Sequence, residues 1–148
     1  MIRLATAVDL PSVALLSKQL GYPVTLAQLE ERFSKLKDSE QVWVYEQHQR
    51  IVAWLQCDWR NDLISGSTLE IIAMVVDNKF RGRGTGRKLL EFIKQKAIDH
   101  ELTVTVRSQL KRKRAHQFYQ KNGFDLQKTQ HLFYHPLIEK INSTDESL

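Results

Sequence analysis

The sequence has a single cysteine, no long apolar run and no secretory pattern at its amino terminus. Cys57 is the only cysteine among 148 residues, which excludes an internal disulfide and a cysteine-based zinc cluster. No apolar stretch approaches the ~20 residues that a membrane-spanning helix needs, and residues 1–6 lack the features of a signal peptide. We therefore expect a cytoplasmic protein without a membrane partner, in which Cys57 is a buried, inert thiol.

The composition is that of an ordinary globular domain. Hydrophobic residues make up 42% of the chain and charged residues 26%, and a chain of this length suits one domain with a substantial core. We find no internal repeat, low-complexity block or linker. The sequence therefore predicts a single domain over residues 1–138, followed by a polar tail over residues 139–148.

A glycine-rich stretch after an apolar run is the most informative part of the sequence. Residues 71–76 are apolar and rich in β-branched side chains, which predicts a buried strand. Gly82, Gly84 and Gly86 follow, and the apolar residues after them recur at helical spacing. The N–H groups and dipole of a helix N-terminus attract phosphate, and glycine lets the backbone approach it. The pattern therefore predicts a strand, an anion-binding loop and a helix. Four basic side chains add positive charge to this loop: Arg81, Arg83, Arg87 and Lys88.

Two common phosphate-binding motifs do not fit this loop. A Walker A motif needs Gly-Lys-Ser/Thr after its second glycine, whereas Thr85 and Arg87 follow Gly84 and Gly86. A Rossmann fingerprint, Gly-x-Gly-x-x-Gly, would need glycine at position 87 or 89. The loop instead resembles the Arg/Gln-x-x-Gly-x-Gly/Ala signature of the GNAT superfamily of N-acetyltransferases, matched by Arg81, Gly84 and Gly86. A glycine-rich turn with solvated arginines is the alternative interpretation.

A second motif supports the resemblance. Residues 115–124 resemble the GNAT element Ala-x-x-Phe/Leu-Tyr-x-x-x-Gly-Phe, with matches at Ala115, Phe118, Tyr119, Gly123 and Phe124. The apolar spacing predicts a helix that ends at the glycine. Many relatives carry asparagine seven residues before the tyrosine, where this chain has Arg112. The departure removes one expected contact to pantetheine, although an arginine could reach a phosphate of CoA instead.

The resemblance implies a fold and a reaction. The fold is α+β in three layers, with helices on either side of a mixed, mostly antiparallel central sheet. The reaction is direct transfer of the acetyl group of acetyl-CoA to a primary amine in a ternary complex, without a metal, and the acceptor is a small molecule or a protein amine. The strand would pair with the pantetheine arm through backbone groups, and the loop would hold the pyrophosphate. The cofactor-binding residues implied are Met74, Val75, Val76, Arg81, Gly82, Arg83, Gly84, Thr85, Gly86, Arg87 and Arg112.

Two residues are candidates for proton transfer. By resemblance, Tyr119 is the general acid that donates to the departing CoA thiolate, and the alternative is a core tyrosine with a satisfied hydroxyl. Glu70 lies eleven positions before Arg81, where many superfamily members place a strand glutamate that acts as the base directly or through water. Its apolar neighbours predict partial burial and a raised pKa. The alternative for Glu70 is a solvated carboxylate at a strand end.

The first forty residues predict two helices beside an acceptor site. One helix starts near Asp9 and Pro11 and ends at Gly21, and Thr25 to Gln28 match a capping box for the second. In the superfamily this connection borders the acceptor groove, so Tyr22 is a candidate substrate-binding residue that could equally cover a helix end. The second helix should bury one apolar face, composed of Leu26, Leu29, Phe33 and Leu36.

The remaining segments predict strands and loops. Residues 41–46 and 51–59 suit a hairpin around residues 47–50, and residues 102–106 suit a further strand. Residues 60–67 are expected to form a polar loop. Residues 125–137 are expected to form one or two closing strands.

The charge and the fold leave two other functions open. The net charge is +5 and the isoelectric point is about 9.4, but much of the excess lies in residues 81–88 and 111–114, which an anionic cofactor explains. Nucleic acid is therefore not an expected partner. A non-catalytic acyl-CoA sensor of the same fold ranks second to the enzyme, because Tyr119 and Glu70 are both retained. A homodimer would suit the family, but nothing in the sequence demands it.

Overall fold

The computed structural model describes residues 1–137 of the chain. Contacts group the chain into two compact units, Met1–Lys113 and Arg114–Leu148. Within the described range, none of the helices combines the length and the apolar character that crossing a membrane requires. The predicted polar tail over residues 139–148 lies outside the described residues, and a single domain over residues 1–138 stays a prediction.

Five strands form one mixed sheet in the first unit. They are β1 (Ile2–Leu4), β2 (Glu40–Gln47), β3 (Arg50–Asp62), β4 (Gly66–Val76) and β5 (Thr103–Val106), and they lie side by side in chain order. The first four pair antiparallel, and β5 pairs parallel to β4. A parallel pair needs a crossover connection, which helix α3 (Thr85–Asp99) supplies. The predicted mixed, mostly antiparallel sheet is confirmed.

Helices cover both faces of this sheet. The apolar face predicted for α3 is buried, and Phe92 of α3 meets the indole ring of Trp43 edge-on at a centroid distance of 4.9 Å. On the other face, helix α1 (Leu10–Gln19) packs Leu16 into a cluster with Val44, Ile51 and Val75. The core therefore lies in two layers, one on either side of the sheet.

Helix α2 (Leu26–Ser34) begins as predicted but is not buried as predicted. Its capping box is present, because Thr25 N donates to Gln28 Oε1 at 3.0 Å and Gln28 N donates to Thr25 Oγ1 at 3.1 Å. None of its residues is fully buried, and Leu26 is exposed. The expectation of a buried side was wrong because the apolar face of α2 borders a cavity, described below, instead of the sheet.

The two hairpins differ from each other in how well their turns were predicted. β2 and β3 join through His48 and Gln49, both with positive φ, as the predicted hairpin requires. The polar loop expected over residues 60–67 was wrong, because β3 and β4 continue to pair up to Asp62 and Gly66. Asp62 Oδ1 accepts hydrogen bonds from the backbone of residues 64 and 65, so the polar residues close a short turn.

β4 and β5 diverge halfway along β4. Their pairing ends at Ile71 and Val106, whereas β4 continues to Val76. A bulge at Ile72 changes the register between β3 and β4 at the same level. Among the strands of residues 1–137, none pairs with residues 72–76 on the β5 side. This divergence leaves a strand edge to which an extended ligand could pair.

The second unit contains helix α4, and the described residues after it are irregular. Helix α4 (Lys113–Lys121) ends before Gly123, whose φ of +91° agrees with the predicted glycine stop. The closing strands expected over residues 125–137 were wrong, since no strand is assigned there. Apolar side chains in this segment, including Leu132 and Phe133, are almost fully exposed.

Candidate active site

The glycine loop joins β4 to α3 with the backbone geometry of an anion site. Gly82 and Gly84 adopt φ of +75° and +81°, values that side chains with a Cβ take only at a cost. The first helical hydrogen bond runs from Lys88 N to Gly84 O at 3.0 Å. The amides of residues 85–87 therefore precede the helical ladder, where an anion can accept from them.

The basic side chains of this loop are held in different ways. Arg81 Nε donates to the carbonyl of Val76 at 3.3 Å, which ties the loop to the end of β4. The guanidinium of Arg83 lies 5.4 Å from the centre of the Phe80 ring. Arg87 is exposed on the first turn of α3. Arg81 and Arg83 thus help to shape the loop, while Arg87 presents its charge to solvent.

A buried carboxylate that the sequence analysis did not identify holds the backbone between β4 and the glycine loop. Asp77 directly follows β4 and accepts from Arg50 Nη2 at 2.9 Å, from the backbone N–H of Lys79 at 3.1 Å and from Gln19 Nε2 at 3.4 Å. Gln19 also accepts from the backbone of Asn78 at 2.9 Å. Burial raises the pKa of Asp77, but these hydrogen bonds and the charge of Arg50 lower it by a larger amount. The pKa of Asp77 therefore lies below its ordinary value. The sequence signal that could have identified Asp77 was the position of an aspartate between an apolar strand and a glycine-rich loop.

A cavity of about 920 Å³ lies beside the free edge of β4, and we call it the α2 groove. Its lining comes from α1, from α2 and the segments on either side of it, from β2, β3 and β4, and from residues 107–109 and 112. Four predicted site residues line this groove: Tyr22, Met74, Val75 and Arg112. Tyr22 is 46% exposed, so it lines the groove without being fixed in the core. Val76 and the glycine loop lie outside the lining.

Comparison with known proteins gives the family. The sequence pattern of the acetyltransferase (GNAT) domain matches residues 38–126, which include the glycine loop, the divergent strands and α4. The chain belongs to the GNAT acetyltransferase family. No curated protein matches its sequence.

Solved GNAT structures share the fold at low sequence identity. An aminoglycoside antibiotic 6'-N-acetyltransferase from Acinetobacter baumannii is 16% identical with a TM-score of 0.77, covering 93% of this chain and 98% of its own. Glucosamine-6-phosphate N-acetyltransferase from Arabidopsis thaliana is 23% identical with a TM-score of 0.73, covering 92% and 98%. An aminoglycoside N-acetyltransferase solved in complex with CoA is 17% identical with a TM-score of 0.71, covering 93% and 100%. The TM-scores establish the fold, and the low sequence identities leave the acceptor of this chain open.

In this GNAT chain, Glu70 lies on the same face of the sheet as the α2 groove and is held between two arginines. Its side chain is buried, Arg60 Nη1 donates to Oε2 at 2.9 Å, and Arg107 Nε donates to Oε1. Burial raises the pKa of Glu70, but the hydrogen bonds and charges of the two arginines lower it to below its ordinary value of 4.5. The expected raised pKa was therefore wrong, because the sequence showed the apolar neighbours of Glu70 but not its cross-strand partners.

Tyr119 lies in the second unit, on α4. It is buried, and its ring makes edge contacts with the rings of Phe118 and Phe124 at centroid distances of 5.6 and 5.7 Å. Phe124 N donates to the carbonyl of Tyr119 at 3.0 Å, which closes the end of the helix onto the next segment. The motif of residues 115–124 thus forms a helix with a compact aromatic end.

The only thiol belongs to the core. Cys57 lies on β3 and is fully buried, and burial raises the pKa of its thiol to about 11. A thiol in this environment stays protonated at neutral pH and is a poor nucleophile. Across residues 1–137, histidine, cysteine and carboxylate side chains nowhere form a cluster suited to a metal ion.

Proposed function

We propose that this GNAT protein transfers the acetyl group of acetyl-CoA directly to a primary amine in a ternary complex. The observation that carries the proposal is the free edge of β4, which lies between the amides at the start of α3 and the α2 groove. A pyrophosphate suits the amides, an extended pantetheine suits the strand edge, and an acceptor suits the groove. The family match and the neighbour solved with CoA support the same assignment.

The cofactor would be held mainly by backbone groups. The amides of residues 85–87, preceded by the positive φ of Gly82 and Gly84, would donate hydrogen bonds to the pyrophosphate, with Arg87 adding charge. Backbone groups of Met74, Val75 and Val76 would pair with the amides of pantetheine. Arg112 lines the α2 groove and is half-buried, which suits a charge that stays fixed near the cofactor. Acetyl-CoA supplies the activated acetyl group, and these residues orient it.

The amine must lose a proton before it attacks, since an alkylammonium with a pKa of about 10 is not a nucleophile. Both carboxylate oxygens of Glu70 already accept from guanidinium groups, and its pKa lies below the ordinary value. These contacts favour water over Glu70 as the immediate base, with Glu70 fixing Arg107 at the groove. We assign the general acid to Tyr119, and the support for that role is the motif of residues 115–124.

The first test is a thermal-shift titration with acetyl-CoA, with ATP and NAD as controls. Acetyl-CoA at a hundredfold excess over its Kd should stabilise the fold by about 2.7 kcal/mol, which is several degrees in Tm. The second test is release of free CoA thiol with a panel of primary amines. An equal shift with ATP would contradict the cofactor assignment.

The same measurements separate the competing functions. A shift with acetyl-CoA but no thiol release with any amine would favour the acyl-CoA sensor over the enzyme. Steeply salt-dependent binding of DNA or RNA that acetyl-CoA leaves unchanged would favour a nucleic-acid-binding domain.

A further inference from the structure

The charged side chains that line the α2 groove are mostly cationic. Arg32, Lys35, Arg107 and Arg112 contribute positive charge, and among residues 1–137 Glu40 is the one carboxylate in the lining. A groove with this balance disfavours a polycationic acceptor, because several ammonium groups would meet like charges.

Two buried polar atoms, in side chains that line the same groove, have no hydrogen-bond partner within residues 1–137. They are the indole nitrogen of Trp54, on β3, and the hydroxyl of Ser108, after β5. An indole N–H can only donate, so a ligand that satisfies Trp54 must present an oxygen or another acceptor atom. A third such atom, in Trp43, belongs to the opposite face of the sheet beside α3.

Arg32 is the cation of this lining best placed to bind a group of the acceptor. Lys35 pairs with Glu31 at 2.8 Å, Arg107 pairs with Glu70, and Arg112 is assigned to the cofactor. Within residues 1–137, Arg32 has no ion-pair partner. Its planar guanidinium presents paired donors that match a carboxylate or a phosphate.

A carboxylate suited to the ammonium group of the acceptor lies on the same face of the sheet. Glu40 on β2 lies opposite Asp58 on β3, and Asp58 lies opposite Glu70 on β4, which places three carboxylates in one cross-strand row. The charge of Glu70 is balanced by its two arginines, whereas Glu40 lines the groove and accepts only a backbone hydrogen bond, from Lys37 N at 3.1 Å, among the contacts of residues 1–137. Phe33 and Tyr22 supply an apolar wall in the same lining.

We propose that the acceptor amine carries a carboxylate or phosphate remote from its amino group, and that Arg32 binds this anion. The proposal rests on the acetyltransferase function proposed above and names the substrate class of that site. Arg32 is a specificity-determining residue in this assignment, and the side chains of Trp54 and Ser108 line the same groove.

Matched pairs of amines test the proposal. Glycyl-phenylalanine is compared with glycyl-phenylalaninamide, and glucosamine 6-phosphate with glucosamine, with spermidine as the polycation. In each pair the anion is distant from the amine, so the pKa of the amine changes little. We expect kcat/KM to be about 10- to 100-fold higher for the anionic member of at least one pair, as a hydrogen bond to a charged group gives. The pair that responds identifies carboxylate or phosphate.

Variants tie this preference to one side chain. In Arg32→Gln the preference should fall to near one, and in Arg32→Lys part of it should remain. Lys37→Gln is the control, because Lys37 is an exposed cation of the same segment that does not line the groove. It should keep the full preference. A preference that Arg32→Gln leaves unchanged would remove Arg32 as the anion site.

A binding measurement keeps the proposal falsifiable if none of these amines is acetylated. Each amine is added to the protein saturated with CoA, and the further change in Tm is recorded. The anionic member should stabilise the complex more than its neutral partner, and Arg32→Gln should lose that difference. Equal shifts within both pairs, or a larger shift with spermidine, would overturn the acceptor assignment. Loss of the acetyl-CoA shift itself would instead overturn the proposed function.

Discussion

The glycine loop and the α2 groove are built in different ways. In the loop the backbone forms the proposed cofactor site, through the positive φ of Gly82 and Gly84 and the amides that begin α3. In the groove side chains from several separate segments form the site, and α2 contributes no fully buried residue. A backbone site is fixed by the same geometry that folds the chain, whereas the part of the groove lining that α2 contributes can change with little cost to the core. The cofactor end is therefore expected to tolerate less change than the acceptor end.

The largest expected effect concerns chemistry and leaves both binding regions intact. Tyr119→Phe should lower turnover by about 10²- to 10⁴-fold, since the thiolate would lose its proton donor. The affinity for acetyl-CoA, measured by thermal shift, should change little. Tyr45→Phe is a matched control, because Tyr45 is equally buried but lies on β2 and has no proposed role in the reaction. Equal turnover in the two variants would leave Tyr119 as a core tyrosine.

A pair of glycine substitutions tests whether the backbone of the loop binds the cofactor. Gly84 and Gly66 have φ of +81° and +79°, and a Cβ at either position meets no atom within 4 Å. Gly84→Ala and Gly66→Ala should therefore each cost about 1–2 kcal/mol of stability through backbone strain. Only Gly84→Ala should also weaken acetyl-CoA, by about tenfold or more, as loss of hydrogen bonds to a charged group implies.

Titration of both variants with acetyl-CoA decides this comparison. An equal loss of affinity in Gly66→Ala would show that general destabilisation is responsible. Unchanged affinity in Gly84→Ala would place the pyrophosphate elsewhere.

The two regions also differ in how much of them the sequence could predict. Gly82, Gly84 and the apolar face of α3 follow from local signals, because a glycine-rich turn and a helical period are both contained in a short stretch of sequence. The pKa of Glu70 was mispredicted, because Arg60 and Arg107 reach it from neighbouring strands whose register sequence periodicity does not give. The exposed face of α2 was mispredicted for a similar reason. An amphipathic pattern indicates an apolar surface but does not show whether the sheet or a cavity meets it.

Glu70→Gln should reduce stability by about 1–3 kcal/mol near pH 7, because two guanidinium groups would lose their charged partner. The pKa of Glu70 is lowered in the fold, so its contribution is fully present above the ordinary value of 4.5 and is lost as pH falls through the folded value. The Tm of the variant should therefore depend less on pH below about pH 5 than the Tm of the unmodified protein. Glu31→Gln, which removes an exposed pair with Lys35 on α2, should cost about 0.3–0.5 kcal/mol.

The rate profile of Glu70→Gln distinguishes a base from a positioning residue. If water takes the proton, the fall of kcat/KM at low pH reports the amine and should persist in the variant. A flattened low-pH limb would restore Glu70 as the base, despite its two arginine partners.

The smallest expected effect lies at the acceptor end. Tyr22 is partly exposed in the α2 groove, so Tyr22→Ala should raise the KM for the acceptor by about three- to tenfold, as loss of one aromatic contact implies. The shift with acetyl-CoA should not change, and Leu63→Ala, in the exposed turn between β3 and β4, should alter neither quantity. If Tyr22→Ala weakens acetyl-CoA as strongly as the acceptor, the groove and the cofactor site are coupled through the connection between α1 and α2. The acceptor site would then tolerate fewer substitutions than the lack of fully buried residues in α2 indicates.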